Sequence, residues 1–538
     1  MRAKRPTGRP LLIIAAIGAI GSVAGGLAFG PDRAVRLAAA AAANVTADGL
    51  AEDPGPHHIR VVEVEVKDKD LDRLQANLPF SGTEWVEATL VDHGVRYPVE
   101  FRYRGFGAVH HVGNKRSFRL KMKRDGAFAP YKRLNFLNPK SLNMVNVDLA
   151  YWIAQRMGVA TPFEDMVFVR LNGRDHGVMH LCEQVDGDYE RNRHLGTEDV
   201  PVYKGDFPPT NVRVGLQRGP LWKSADNWEY LGDADSTEAR RKLEGLVWAV
   251  NQRNLPWERR RDTLEKLIDV DAFLRFAAAI KVLDTRHIDN YHNQLLVLSP
   301  RSGRFYPVLW DPILLFAPKG EPFYVAHDAL SYWLLRDPEW RWVRDRYIAE
   351  ALATLHAGGA FARHMDEVLE RIGPSVFADR NKYCTLTRAS QDVDRYSVLH
   401  WALSAGQLRT QMNAYWDRLS EQVHAEDLRT DGDQRTAHVT GTAVPPLQIT
   451  IEGDSLAWDT STPGPDQRLQ AFARDTATGA LHFTWLPLTA RADSGGAYRE
   501  DQYYELPPWN MTLRMGTGRI RSVSARGYFN HGTKGTTH

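Results

Sequence analysis

Asp289, Asn293 and Asp311 are the residues whose types and spacing point most directly to chemistry. The polar stretch Asp289-Asn290-Tyr291-His292-Asn293 runs into an apolar β-type segment, residues 294–298. Ser299-Pro300-Arg301-Ser302-Gly303 then reads as a turn, and residues 304–309 return as a second β-type run ending on Trp310-Asp311. A hairpin punctuated this way brings two carboxylates and an amide to one end. Phosphoryl transfer from a nucleotide asks for that set: hard oxygen ligands for Mg²⁺, and a carboxylate to orient or deprotonate the acceptor. Asp, Asn and Tyr are also ordinary turn residues, so taken alone the same residues read more simply as plain turn chemistry.

A second group of motifs lies upstream. Phe101-Arg102-Tyr103-Arg104-Gly105, Lys115-Arg116-Ser117-Phe118-Arg119-Leu120-Lys121-Met122 and Lys132-Arg133-Leu134-Asn135-Phe136-Leu137-Asn138 come first. Leu149-Ala150-Tyr151-Trp152-Ile153, Val169-Arg170-Leu171-Asn172-Gly173, the stretch 177–186 and Val202-Tyr203-Lys204-Gly205 follow. In this order, over residues 60 to 320, the chain resembles the CotH kinase family. Protein kinases also carry a catalytic Asp, a metal-binding Asn, a hairpin and a metal-binding Asp in that chain order.

The resemblance implies an ATP- and Mg²⁺-dependent phosphotransferase acting on a protein. It makes Asp289 the catalytic carboxylate, Asn293 and Asp311 the metal ligands, and Lys121 the lysine on the nucleotide phosphates. Glu183 would pair with that lysine or organise the nucleotide pocket, with Tyr203 and Lys204 lining it. Alternation in residues 117–122 supports part of this, because Phe118, Leu120 and Met122 share one strand face and Arg119 and Lys121 the other. Lys115, Arg116 and Arg119 read more simply as a solvated basic face. Glu183 could likewise be a solvated strand-end residue, and His292 a turn donor.

The chain also departs from the family pattern. Relatives carry Trp-Asp-x-Asp where this chain has Trp310-Asp311-Pro312-Ile313, so a second carboxylate is replaced by an apolar residue. Arg104-Gly105-Phe106-Gly107-Ala108 lacks the hydroxyls that follow the family's Arg-Gly, although Gly105 and Gly107 still allow close backbone approach to a phosphate. These departures leave two other classes open: a pseudokinase or cell-surface binding module, and a different ATP-using protein-modifying transferase.

The elements that would position these residues are legible in outline. Residues 59–66 alternate as a strand, and Asn172-Gly173 marks a hairpin. A helix is expected over 145–157, stopped by Gly158, and another over 270–283, capped by Asp269 with Val270, Phe273, Phe276, Ala277, Ile280 and Leu283 on its apolar face. Residues 336–425 are expected to be helical, with Trp340, Val343 and Tyr347 as core. The expected fold class is α+β: an atypical protein-kinase-like two-lobed domain over 58–430, sheet-rich to about 205 and helical after it, then a small β-rich domain over 436–538. Its Trp458, Trp485, Tyr503, Tyr504 and Trp509 would pack a core or meet a surface partner.

At 538 residues, 43% hydrophobic and 25% charged, the chain is long enough for two or three domains. A net charge of +2 without a dominant basic stretch argues against a nucleic-acid partner. Cys182 and Cys384 form no metal-ligand spacing. Arg2, Lys4, Arg5 and Arg9 precede residues 11–30, a charge-free run of twenty residues, long enough to span a bilayer. That reads as a basic cytosolic stub and transmembrane anchor or signal (1–30) followed by an Ala/Gly/Pro-rich linker (31–57), placing the catalytic domain outside the cytosol. The small residues at 38–43 would suit a peptidase if the segment is cleaved.

Overall fold

The computed structural model describes residues 56–529 except 106–109, 206–219, 315–324, 382–397, 488–503 and other short stretches between elements; beyond residue 421 only backbone is described. Two compact units result, each assembled from separate stretches of chain. One takes in residues up to 149 with 163–184 and 364–411; the other takes in 150–162, 185–363 and 412–538.

The first unit is built on seven strands: β1 Arg60–Val66, β2 Val86–Asp92, β3 Val95–Tyr103, β4 Phe118–Met122, β5 Arg133–Leu137, β6 Glu164–Leu171 and β7 Arg174–Glu183. Alternation selects their inner faces: Val62, Val64 and Val66 of β1 and Phe118, Leu120 and Met122 of β4 are buried in one core. Within it, Phe118 stacks between Phe101 and Phe136, with centroids 5.1 and 4.7 Å apart. His93-Gly94 and Asn172-Gly173 supply the paired positive φ angles of tight hairpin turns between β2 and β3 and between β6 and β7.

The strands run β1-β2-β3-β4-β5-β7-β6 and close into a barrel, because β6 pairs in parallel with β1, Arg60 opposite Val167 through Val64 opposite Leu171. This overturns the expected two-lobed, kinase-like fold class. Hydrophobic alternation marks which residues face inward. It does not mark which strands meet, and the β1–β6 pair uses both edges that an open sheet would leave. The transmembrane helix in that expectation has no support either: residues 1–30 lie outside the described residues, and no described helix is long and apolar enough to cross a membrane.

A buried ion pair fixes β7. Lys115, expected on a solvated face, is fully buried; its ammonium donates to the Val178 carbonyl at 3.1 Å and pairs with Asp379, just beyond the helix Ala360–Ala378. Asp379 also accepts from the Val178 N–H at 2.9 Å. Gly177, at φ +104°, makes room, since a Cβ there would overlap the Asp379 carboxylate.

In the second unit, β8 Val202–Gly205, β9 Trp228–Tyr230, β10 Gln294–Leu298 and β11 Phe305–Pro307 form a sheet ordered β11-β10-β8-β9. Helices Thr237–Asn251, Trp257–Leu267, Val270–Leu283, Ala329–Arg336 and Pro338–Leu352 accompany it. Val270–Leu283 is buried more widely than one face: Leu274, Ala278, Ala279 and Val282 are inside along with Phe273, Phe276 and Ile280. Trp340 and Tyr347 are buried, as are Arg344 and Asp345, which pair at 2.7 Å. Beyond residue 424 the strands form a five-stranded sheet, centred on Arg519–Phe529 and Leu447–Glu452, and a three-stranded sheet centred on Trp509–Met515. The aromatic side chains of that region, and Cys384, lie outside the described residues.

Candidate functional site

The helix Val270–Leu283 delivers the loop that carries Asp289. Asp269 caps its start, accepting from the Ala272 N–H at 3.1 Å, and Asp284 ends it in the left-handed region at φ +49°. Within the loop, Asp289 Oδ1 accepts from the Tyr291 N–H at 2.7 Å, an Asx turn that fixes the carboxylate against its own backbone. Gln294, the first residue of β10, donates to the Asp289 carbonyl at 2.6 Å. Asn290 ties the loop to its surroundings: Oδ1 accepts from the Ala329 N–H at 2.9 Å and its carbonyl from the Leu221 N–H at 2.6 Å. Asp289 is thus held from both sides while remaining half-buried.

Asn293 and Asp311 sit at the open end of the β10–β11 hairpin, joined by a residue the sequence reading passed over, His287. Asn293 Nδ2 donates to the His287 carbonyl at 2.8 Å, and His287 Nδ1 lies 2.9 Å from the Asp311 carbonyl oxygen and 3.6 Å from Asp311 Oδ2. The same Nδ1 lies 3.0 Å from Asn293 Nδ2, so the ring nitrogen donates to the Asp311 carbonyl in one tautomer and accepts from the Asn293 amide in the other. Both flanking residues adopt left-handed backbone, Asn293 at φ +61° and Asp311 at φ +53°. Non-glycine residues there are strained, and such strain persists where the surroundings over-determine it. The Asp311 N–H donates to the buried Tyr151 hydroxyl at 3.0 Å, and the Leu309 N–H donates to the Ala160 carbonyl at 2.8 Å, which holds the returning strand in place. His287-Ile288-Asp289 was a usable sequence signal, a histidine two residues ahead of the candidate base.

The donor set suits Mg²⁺, which keeps several waters and takes one or two protein oxygens beside substrate phosphates. Anchoring Nδ2 on a carbonyl turns the Asn293 amide oxygen away from that bond, and Asp311 adds a carboxylate. Among the described residues no group of three His, Cys, Asp or Glu is placed to hold a metal. His292 lies outside the described residues.

The other expected site residues belong to the barrel. Lys121 is half-exposed and pairs with Glu100 at 2.9 Å; it shares the outer face of β4 with Arg119, as the alternation required. Glu183 is fully buried, not solvated, and its Oε2 accepts from the Phe163 N–H at 3.0 Å. The register puts Glu183 in line with Leu134 and Leu120 on the inner face, and Lys121 in line with Arg133 on the outer one, so these two do not meet. Gly105 is at φ +86°, where a Cβ would collide with the His110 ring; the space expected for a phosphate is filled by that imidazole. Gly107 is outside the described residues. In the second unit Tyr203 is fully buried, its ring 5.3 Å from Tyr230, and burial pushes its hydroxyl up to about 12; Lys204 is half-buried.

The family model described as CotH kinase protein matches residues 101–413, more than half of the chain. The chain belongs to the CotH kinase family. The matched stretch contains Lys121, Glu183, Asp289, Asn293 and Asp311. The inner spore coat protein H of Bacillus subtilis (strain 168) is similar to it, 22% identical over 350 residues, which is 63% of this chain and 93% of that protein. Membership in the CotH family makes the chain a relative of kinase-like transferases.

Proposed function

We propose that this chain is an ATP- and Mg²⁺-dependent phosphotransferase that modifies a protein. The observation that carries the reading is the Asn293–His287–Asp311 linkage: one residue, His287, meets both expected metal ligands, Asn293 through its backbone carbonyl and Asp311 through its ring, and each ligand is held in left-handed backbone. Ordering of ligands by a second layer of hydrogen bonds is what a preorganised metal site needs. Bound there, Mg²⁺ would neutralise charge on the transferred phosphoryl group. Asp289, fixed by its Asx turn, orients the acceptor hydroxyl and takes its proton. Lys121 is proposed as the phosphate-holding lysine from its position in the family motif. Incubating the chain with ATP, Mg²⁺ and an acceptor protein, then weighing the products, tests this: added phosphate supports it.

A second reading is a nucleotide-binding pseudokinase, favoured by Ile313 standing where relatives carry a second carboxylate. Its backbone N–H donates to Thr285 Oγ1 at 3.3 Å, so the position is built into the loop as it stands. Binding of ATP with Mg²⁺ and no change in the mass of any protein would select this reading.

A further inference from the structure

The outer face of the barrel across β3, β4 and β5 concentrates cations. In register, Arg102 stands opposite Arg119, and Lys121 opposite Arg133. Like charges directly opposite on one sheet face are destabilising, and a face needing only solubility would alternate signs. Glu100 offsets Lys121. Arg119 donates to two amides, Nε to Asn135 Oδ1 at 2.7 Å and Nη2 to Gln184 Oε1 at 2.6 Å, which aim its guanidinium.

Arg102 is the telling member. It is half-buried, no carboxylate pairs with it among the described residues, and its Nε is buried without a hydrogen-bond partner. Its Nη1 reaches the Thr83 carbonyl only at 3.4 Å, and its guanidinium lies over Trp85, 4.5 Å from the ring centroid. Burial, then the nearby Arg104 and Arg133 charges, lowers its pKa. A cation kept in such a place is stabilised by an arriving anion, and a guanidinium grips phosphate oxygens through two parallel N–H bonds.

We propose that this face is a binding site for a multiply charged phosphate anion, held by Arg102, Arg119 and Arg133 beside Trp85. That the anion is the phosphate tail of a nucleotide rests on the phosphotransferase reading above; the existence of the site does not.

Calorimetric titration of the full chain with tripolyphosphate, without Mg²⁺, tests the site. Tripolyphosphate should bind, weaken with added salt, and bind at least about tenfold more weakly to Arg102→Gln, the cost of about one charge-assisted contact. Arg102→Lys keeps the charge but loses the fork, and should fall between. ATP competing where AMP does not identifies a nucleotide's tail; tripolyphosphate binding that ATP leaves untouched identifies an inorganic or protein-borne phosphate. Removing an unpaired cation should leave the melting temperature of Arg102→Gln at or above that of the unmodified chain; if it melts lower, Arg133→Gln supplies the affinity reading instead. The proposal is overturned if tripolyphosphate does not bind, if these variants bind it as the unmodified chain does, or if a poly-glutamate peptide binds more tightly, which would make the face a dock for acidic protein.

Discussion

His287 Nδ1 lies 2.9 Å from the Asp311 carbonyl oxygen, and the backbone oxygen of the same histidine accepts from Asn293 at 2.8 Å. The two expected metal ligands, 18 positions apart in sequence, are therefore set by one residue. His287→Ala should weaken Mg²⁺ dependence of transfer by about 10–100-fold, the usual cost of removing a residue that orders metal ligands. His287→Asn, which can still donate to the Asp311 carbonyl, should recover part of it. Magnesium titrations of the transfer rate in the three proteins check this. A loss in kcat with an unchanged Mg²⁺ requirement would contradict it.

Asp311→Ala should leave nucleotide binding insensitive to Mg²⁺, whereas in the unmodified chain the metal strengthens it. Equilibrium binding with and without Mg²⁺ decides. Equal affinity under both conditions in the unmodified protein removes Asn293 and Asp311 as ligands.

Lys115→Met strands the Asp379 carboxylate at full burial, and the expected loss is about 3–5 kcal/mol of stability, the cost of breaking a buried pair from one side. Gly177→Ala should destabilise through the same carboxylate, because the new Cβ would displace it. Urea unfolding measures both. A Gly177→Ala midpoint equal to that of the unmodified chain would show that Asp379 has another place to go.

Much of the local structure was legible because it is written locally. Asp269 caps its helix, Asn172-Gly173 turns its hairpin, and the alternation of Phe118, Leu120 and Met122 gives the inner face of β4. The hairpin that places Asn293 and Asp311 was legible from its turn and flanking runs. What failed depended on distant partners. Barrel closure requires β1 to meet β6, and Lys115 is buried because Asp379 reaches it from far along the chain; neither leaves a periodic trace. The burial of Glu183 left no mark in the sequence for a related reason. Its face follows from the register through β5, which the β7 segment alone does not specify.

Two carboxyls in the first unit make stability fall as pH rises. Burial, with the Glu164 charge next, pushes Asp148 up to about 7; burial, with Asp165 next, pushes Glu164 up to about 8. Glu164 Oε2 lies 3.1 Å from His180 Nε2, and Arg371, 3.7 Å from Asp148, opposes the shift only partly. Unfolded, both groups titrate near pH 4, so between about pH 4 and 8 the folded chain holds protons the unfolded chain has lost. Their contribution is full below pH 4 and gone above pH 8. The double variant Asp148→Asn, Glu164→Gln should therefore lose less stability between pH 5 and pH 8 than the unmodified chain. Parallel urea midpoints at the two pH values would contradict this.

The central claim is that Asp289 is a catalytic carboxylate in a phosphoryl-transfer site. The most direct test is the mass of an acceptor protein after incubation with ATP, Mg²⁺ and either the unmodified chain or Asp289→Asn. A catalytic carboxylate acts in the transition state, whereas its amide can keep the turn's hydrogen bond. The expected result is added phosphate with the unmodified chain and a rate about 10²–10⁴-fold lower with Asp289→Asn, at unchanged ATP affinity and melting temperature. Transfer at the original rate by Asp289→Asn, or added AMP in place of phosphate, would contradict the account.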